Sequence, residues 1–273
     1  MGQLLSRSAL YVVMVAIALV MTLPFIWMLS TSFKLEEHVF NFPIEWIPSV
    51  FAPENYKAVW TAIPMPTYYW NSVKLALIIT AGQLLTCSLA GYAFARLEFP
   101  GRNRMFLVYL VSYMIPYQVI MIPQYLIMKN LGLVNSHWAL VFLEIFSPYG
   151  VFLMRQFFIS ISRELSEAAR IDGCGEIGIF ARVILPLAKP AIATLTIFCF
   201  SWVWNDFQAP LIYLNDDRLK TIPLGLASLN GEFASQFNLI MAGAVSSLIP
   251  VIAVFFFAQK YFISGLSVGA VKG

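Results

Sequence analysis

Two carboxylates stand in stretches of the chain where water should be scarce. Glu144 sits in an apolar run. Asp206 sits in Trp202-Val-Trp204-Asn205-Asp206-Phe207-Gln208, with Pro210 just beyond. An ionised carboxylate facing lipid is costly, so each must face protein, water or a solute. A polar group flanked by indole rings can hydrogen-bond hydroxyls and stack on the apolar face of a sugar, which makes Trp202, Trp204, Asn205, Asp206, Gln208 and Glu144 candidate path residues. Asn205 and Asp206 equally suit the capping of a broken helix, and the two roles are compatible. Glu144 suits a tie to a neighbouring helix. Buried carboxylates are also what an ion-coupled carrier requires.

The other chemically pointed stretch runs from Ser162 to Pro190. It is polar, rich in helix formers and placed between two apolar segments. Glu164 to Ile171 suits a short helix, Gly173 and Gly175 break it, and Glu176 to Val183 can form a second helix before Pro186. Its charges are mixed: Glu164, Glu167, Asp172 and Glu176 against Arg163, Arg170 and Arg182. A helix lying on anionic lipid would carry basic residues alone, so the balance, with the small Ala168, Ala169 and Gly173, favours docking into a protein groove.

Enzymatic motifs are missing. The sequence holds no H-E-x-x-H and no G-x-x-x-x-G-K-[ST] pattern, which leaves it without a recognisable means of holding nucleotide phosphates. No cofactor or metal site is expected. Cys87, Cys174 and Cys199 have no paired spacing and read as reduced thiols. His38 and His137 lie near outer boundaries, where a lone histidine is more often hydrogen-bonded than ligating.

The elements that must position these residues are membrane spans. The 273 residues are 60% hydrophobic and only 11% charged, against about 25% charged in soluble domains. Apolar stretches give six spans, at about 8–33, 70–95, 105–128, 137–157, 190–213 and 239–259, each long enough to cross the hydrocarbon at about 1.5 Å per residue. The stretch 158–189 becomes a loop and 260–273 a tail. The first span is too long for a signal peptide and has no cleavage site after it. Pro116 and Pro123 predict a kink or unwound turn in span 3, and Pro148-Tyr-Gly150 a second break in span 4. Ala81, Gly82, Ser88, Ala90 and Gly91 let another helix approach span 2 closely. With six spans, 11 of the 17 basic residues fall on the side of the termini, which places both termini and the 158–189 loop in the cytoplasm.

Glu167-Ala168-Ala169, three residues, Gly173, nine residues, then Val183-Ile184-Leu185-Pro186 resembles the EAA loop of ABC importer permeases, with valine where isoleucine is usual. Trp204-Asn205-Asp206-Phe207, Thr221 to Leu226, Asn55-Tyr56 and the tail from Gln259 to Gly273 resemble the carbohydrate-uptake group that includes the smaller maltose-permease subunit. Asp206 stands where that group often has glutamate. The resemblance implies an all-α polytopic permease of the type I importer fold, paired with a second homologous permease subunit. It also implies two ATPase subunits that bind ATP and Mg2+, and an extracytoplasmic solute-binding protein delivering a di- or oligosaccharide. Glu164, Glu167, Ala168, Ala169, Asp172, Gly173 and Gly175 would form the coupling region docked on an ATPase. Ser264, Gly265 and Lys272 in the tail would reach toward the same interface. A sugar-acid oligomer or glycerol-3-phosphate is the alternative cargo, and an ion-coupled sugar carrier the alternative of another class.

Overall fold

The computed structural model describes the backbone of residues 2–230 and 236–270 and the side chains of residues 9–230 and 236–260. Every regular element among them is a helix. Besides two 3-10 turns (Glu36–His38 and Asp217–Leu219), these are in order α1 (Gly2–Ser32), α2 (Glu54–Ala62), α3 (Met65–Arg96), α4 (Arg102–Tyr113), α5 (Tyr117–Asn130), α6 (His137–Glu144), α7 (Pro148–Ser160) and α8 (Glu164–Ile171). There follow α9 (Glu176–Gly178), a π-helical turn (Ile179–Ile184), α10 (Leu185–Leu187), α11 (Lys189–Asn205), α12 (Gln208–Tyr213), α13 (Ile222–Ala227) and α14 (Phe237–Ala270). Four stretches are long and apolar enough to cross a membrane: 9–32, 65–96, 137–160 and 237–260. Two bent pairs raise the count to six, α4 with α5 at 98° and Glu176–Leu187 with α11 at 77°.

The chain forms two compact units, 1–66 with 222–249 and 67–221 with 250–273. In the first, Phe33 stacks on Phe51 with ring centroids 4.6 Å apart. Buried Asn55 donates to the carbonyls of Ser32 and Lys34 at 3.0 and 2.7 Å and accepts from the Asn238 side chain at 3.1 Å. One amide thus joins three segments, which gives the Asn55-Tyr56 pair a packing role. The apolar stretch of α1 is left uncovered by the rest of the chain.

In the second unit α3 is the spine. Its glycines are the contact points expected of small residues: a Cβ on Gly82 would meet Ile145 at 2.7 Å, and one on Gly91 would meet Met154 at 2.8 Å. Around it a core of Cys87, Tyr92, Phe106, Met154, Phe158, Ile179, Ile184 and Leu195 draws α3, α4, α7, the π turn and α11 together.

The breaks fall where prolines and polar side chains put them. Pro116 caps α5, and the chain turns at 114–116. Pro123 is carried inside α5 without ending it. The α6–α7 break at 145–147 frees carbonyls that lipid cannot satisfy, and α3 satisfies them. Gln83 donates to the Glu144 carbonyl at 2.6 Å, Thr86 to Ile145 at 2.5 Å and the Cys87 thiol to Ser147 at 3.5 Å. Ser147 caps α7 by accepting from the Gly150 amide at 3.1 Å. The helix expected from Glu176 to Val183 is instead a short α turn passing into a π turn. Pro186 cannot donate the i→i−4 hydrogen bond that would close a regular turn there.

Candidate functional site: a tethered polar hairpin and the residues at the helix breaks

The hairpin begins with α8. Glu164 and Glu167 lie in its first turn and Arg170 in its last, the charge order that its dipole favours. Its end is a Schellman arrangement: Gly173 donates to the Arg170 carbonyl at 3.0 Å and Cys174 to Ala169 at 2.9 Å. Gly173 takes φ +81°, the left-handed region where a Cβ is strained. Asp172 is the residue just before the turn, and its amide closes on Ala168 at 3.0 Å. The turn therefore follows from the glycine.

Side chains fasten the hairpin to the spans. The Tyr92 hydroxyl, on α3, donates to Glu176 Oε2 at 2.9 Å. Arg170 Nε and Nη2 donate to Glu176 Oε1 at 3.0 and 2.6 Å. The Arg170 guanidinium first, and the Tyr92 hydroxyl second, hold the Glu176 carboxyl below the usual carboxylate range. Nearby, Arg96 Nη2 donates to the Phe158 and Ile161 carbonyls at 2.7 and 2.5 Å, at the end of α7. A cavity of about 600 Å3 opens here, lined by Tyr92, Arg96, Ser166, Glu167, Arg170 and Glu176 among others. Glu176 is thus the knot between the two arms of the hairpin and the longest span, a role that the sequence pattern did not single out.

The outer surface of the hairpin is unusual for a water-facing segment. Ile171 is 87% exposed and Ile177 85% exposed, with Leu165 also exposed beside them. Glu164, Glu167, Ala168, Asp172, Gly173 and Gly175 are exposed on the same segment, and Ala169 is half-buried against the core. The isoleucines were legible only as members of helical stretches. What marks them is that each flanks the double-glycine turn. Lys272, expected at the same interface, lies outside the described residues, and of Ser264 and Gly265 only the helical backbone of α14 is described.

Within the spans, Asp206 does what a helix cap does. Its Oδ1 accepts from the amides of Gln208 and Ala209 at 3.0 and 3.3 Å, starting α12 after α11 ends. Asn205 Nδ2 donates back to the Ser201 carbonyl at 2.8 Å. The path reading of Trp204 needs correction: it is 3% exposed, stacked on Phe200 at 5.6 Å and edge-on to Tyr69 at 5.6 Å. That makes it a packing residue, because its indole fills the gap between α11 and α3. Trp202, Asn205 and Gln208 are exposed. Glu144 ends α6, whose Leu140 and Val141 pack with Ala209 and Tyr213 of α12 in one apolar core. Asp206 and the exposed Gln208 therefore stand together at the start of α12, while Trp204 is packed in the core. His137 Nε2 bonds the Leu219 carbonyl at 2.8 Å, pinning the segment that follows α12. Among the described residues no group of three metal-ligating side chains assembles.

Broken apolar spans joined by a polar hairpin with an apolar outer surface define a helical transport protein of the membrane. Residues 87–268 match the family model of the binding-protein-dependent transport system inner membrane component, and the chain belongs to that family. It is 36% identical over 260 residues to the arabinooligosaccharides transport system permease protein AraQ of Halalkalibacterium halodurans, covering 94% of this chain and 93% of the relative. It is 32% identical over 262 residues to the lactose transport system permease protein LacG of Rhizobium radiobacter, covering 96% and 95%. The fold superposes with a TM-score of 0.83 on a chain of a bacterial ABC transporter involved in the import of the acidic polysaccharide alginate, at 26% identity, over 96% of this chain and 98% of that one. The resemblance to ABC importer permeases of the carbohydrate-uptake group is therefore shown, and the all-helical importer-permease fold with it. The chain is an integral membrane component of a transport system that works with a binding protein.

Proposed function

We propose that this chain forms one half of the translocation path of an ATP-driven importer of a di- or oligosaccharide. A second, homologous permease subunit supplies the other half. ATP and Mg2+ are held by two ATPase subunits, and the solute arrives on an extracytoplasmic binding protein. Both termini and the 158–189 loop lie in the cytoplasm, as the placement of 11 of 17 basic residues favours.

The observation that carries this reading is the hairpin: apolar Ile171 and Ile177 exposed on its surface, Glu176 knotted to Tyr92 behind. A docking surface must be sticky outside and stiff inside. Burying two isoleucines in an ATPase groove supplies affinity of roughly 1.5–3 kcal/mol each, and the knot passes the motion to α3 without slack. Glu167, exposed and without an ion pair among the described residues, is left to face a basic residue of the ATPase. Gly173 sets the angle at which the two arms meet. When the ATPases close on ATP they draw the docked hairpins together, the attached spans open outward beside the binding protein, and hydrolysis resets them.

The test is ATP hydrolysis and sugar uptake by the reconstituted complex, with and without loaded binding protein. Glu167→Lys is expected to lower both uptake and the stimulated rate. Stimulation and uptake equal to the unsubstituted complex would sink the proposal. The two intramembrane carboxylates favour no ion-coupled carrier: Asp206 is a helix cap, and the family match concerns transport that depends on a binding protein.

A further inference from the structure

The segment between α1 and α2 carries a run of apolar side chains that the chain leaves bare. Phe40 is 66% exposed, Phe42 95%, Ile44 55%, Trp46 45% and Ile47 85%. Water-facing loops seldom gather so many large apolar groups, and a patch of this kind marks an interaction site. The segment is also closed and braced. At its neck the Ala52 amide donates to the Phe33 carbonyl at 2.8 Å, and Phe33 stacks on Phe51. Inside it, Glu45 Oε2 accepts from the Ser49 hydroxyl at 2.9 Å. On its flank the Asn238 amide donates to Glu36 Oε2 at 3.0 Å, and Phe40 meets Phe237 edge-on with ring centroids 5.0 Å apart. The patch is thus the bare side of a fixed loop. What pins the loop also sets its depth. Its neck is one residue past α1, whose stretch 9–32 is long and apolar enough to cross the bilayer, and its flank is held by the first two residues of α14, whose stretch 237–260 is so too. The loop therefore lies in the boundary layer where these two crossings meet the membrane surface. Charge narrows the occupant. Between Lys34 and Lys57 the sequence holds Glu36, Glu37, Glu45 and Glu54 and no lysine or arginine. Such a loop gains nothing from anionic lipid, whereas indole and phenyl groups partition into the zone between headgroups and acyl chains whatever the headgroup charge.

We infer that the loop of residues 34–51 is a lipid-inserting wedge: Phe42, Ile44, Trp46 and Ile47 enter the headgroup–acyl boundary of the leaflet at the Ser32 end of α1 and hold there by apolar contact, without an anionic headgroup. The loop joins the bare stretch of α1 through the Phe33–Phe51 stack, so lipid that covers the one reaches the other. Two of its acids are spent within the protein, Glu36 on the Asn238 amide and Glu45 on Ser49, which leaves the apolar side chains free to face the bilayer. The inference needs only that α1 crosses a membrane, and it is independent of the cargo.

The test is photocrosslinking in the complete reconstituted complex. Phe42→p-benzoylphenylalanine and, in a second preparation, Ile47→p-benzoylphenylalanine put a photoreactive ring at two exposed positions where the fold tolerates it. The complexes are irradiated in phosphatidylcholine vesicles, with and without the binding protein, and the permease is weighed by mass spectrometry. Lipid adducts are expected at both positions, several-fold above those from the same group at Glu37, which is charged and exposed on the same loop. With the group moved to Trp46, adding Phe42→Asp and Ile47→Asp is expected to cut the lipid adducts about tenfold, from two lost apolar contacts. Adducts chiefly to the binding protein or another subunit, no lipid adduct at either position, or a yield that rises several-fold in phosphatidylglycerol-rich vesicles would overturn the wedge. Carbohydrate-stimulated ATP hydrolysis by the same complexes reports on the importer separately. Full stimulation without lipid adducts defeats the wedge alone. Lipid adducts in a complex that no carbohydrate stimulates defeat the importer alone.

Discussion

The hairpin at 164–187 and the helix breaks in the spans are each the wrong way round for their surroundings. The hairpin sits among charged groups yet exposes Ile171 and Ile177. The breaks interrupt apolar helices yet carry Tyr117 at the start of α5, Glu144 at the end of α6 and Asp206 after α11. A sequence that obeyed its environment would put polar groups on the first and apolar groups in the second. Departures of this kind mark function more than stability. The two also solve stiffness differently. The hairpin is held by a charged knot that water can weaken. The break at 145–147 is held by neutral bonds from Gln83, Thr86 and Cys87, which lipid cannot compete for.

The sharpest way to break the comparison is to make the hairpin surface polar. Ile171→Asp with Ile177→Asp should weaken ATPase docking by roughly 100-fold or more, from two lost apolar contacts, while the permease folds normally because both positions are exposed. Pull-down and affinity of the permease pair for the ATPase would show it; undiminished affinity would place docking elsewhere. Gly173→Pro should come next. Proline fixes φ near −65° where the chain holds +81°, so uptake should fall by about tenfold or more while Gly173→Asn retains most of it.

Loosening the knot should have a smaller and different effect. Tyr92→Phe or Glu176→Gln leaves docking intact and lowers binding-protein-stimulated hydrolysis a few-fold, with basal hydrolysis unchanged. A double-mutant cycle should show the two substitutions to be non-additive, since they cut the same bond. At the α6–α7 break, Gln83→Leu removes the donor to the Glu144 carbonyl and should lower thermal stability by about 1–3 kcal/mol without altering ATPase affinity. A loss of affinity would mean that the two regions are not separable. The smallest effect concerns pH. Arg170 holds the Glu176 carboxyl below its usual range, so the knot is present at neutral pH and is lost only as pH falls through that lowered value. Stimulated hydrolysis should stay level down to about pH 5, whereas Arg170→Gln should make it fall sooner on acidification.

Much of this was legible from residue types alone. The spacing from Glu167 through Gly173 to Pro186 announced a helix, a left-handed turn and a second arm, because only glycine relaxes at positive φ and proline ends regular hydrogen bonding. Pro116 and Pro148 announced breaks for the same reason. Less legible was the partner of each break. Nothing about Gln83 in an apolar run says that its amide meets the Glu144 carbonyl, since that depends on how closely Gly82 lets α3 approach Ile145. Trp204 misled because an indole beside Asn205 and Asp206 suits a sugar platform as well as a core, and helical phase alone does not say which face of α11 is covered.

By itself, then, the sequence determined a membrane chain with a stiff polar hairpin, since hydrophobic length, glycine, proline and charge balance act locally along the backbone. Only the tertiary structure decided that Glu176 is the knot and that Trp204 is core. Those outcomes join Tyr92 to Glu176 and Tyr69 to Trp204, pairs 84 and 135 positions apart in the numbering, and a contact between distant segments is fixed by packing, which no local pattern encodes.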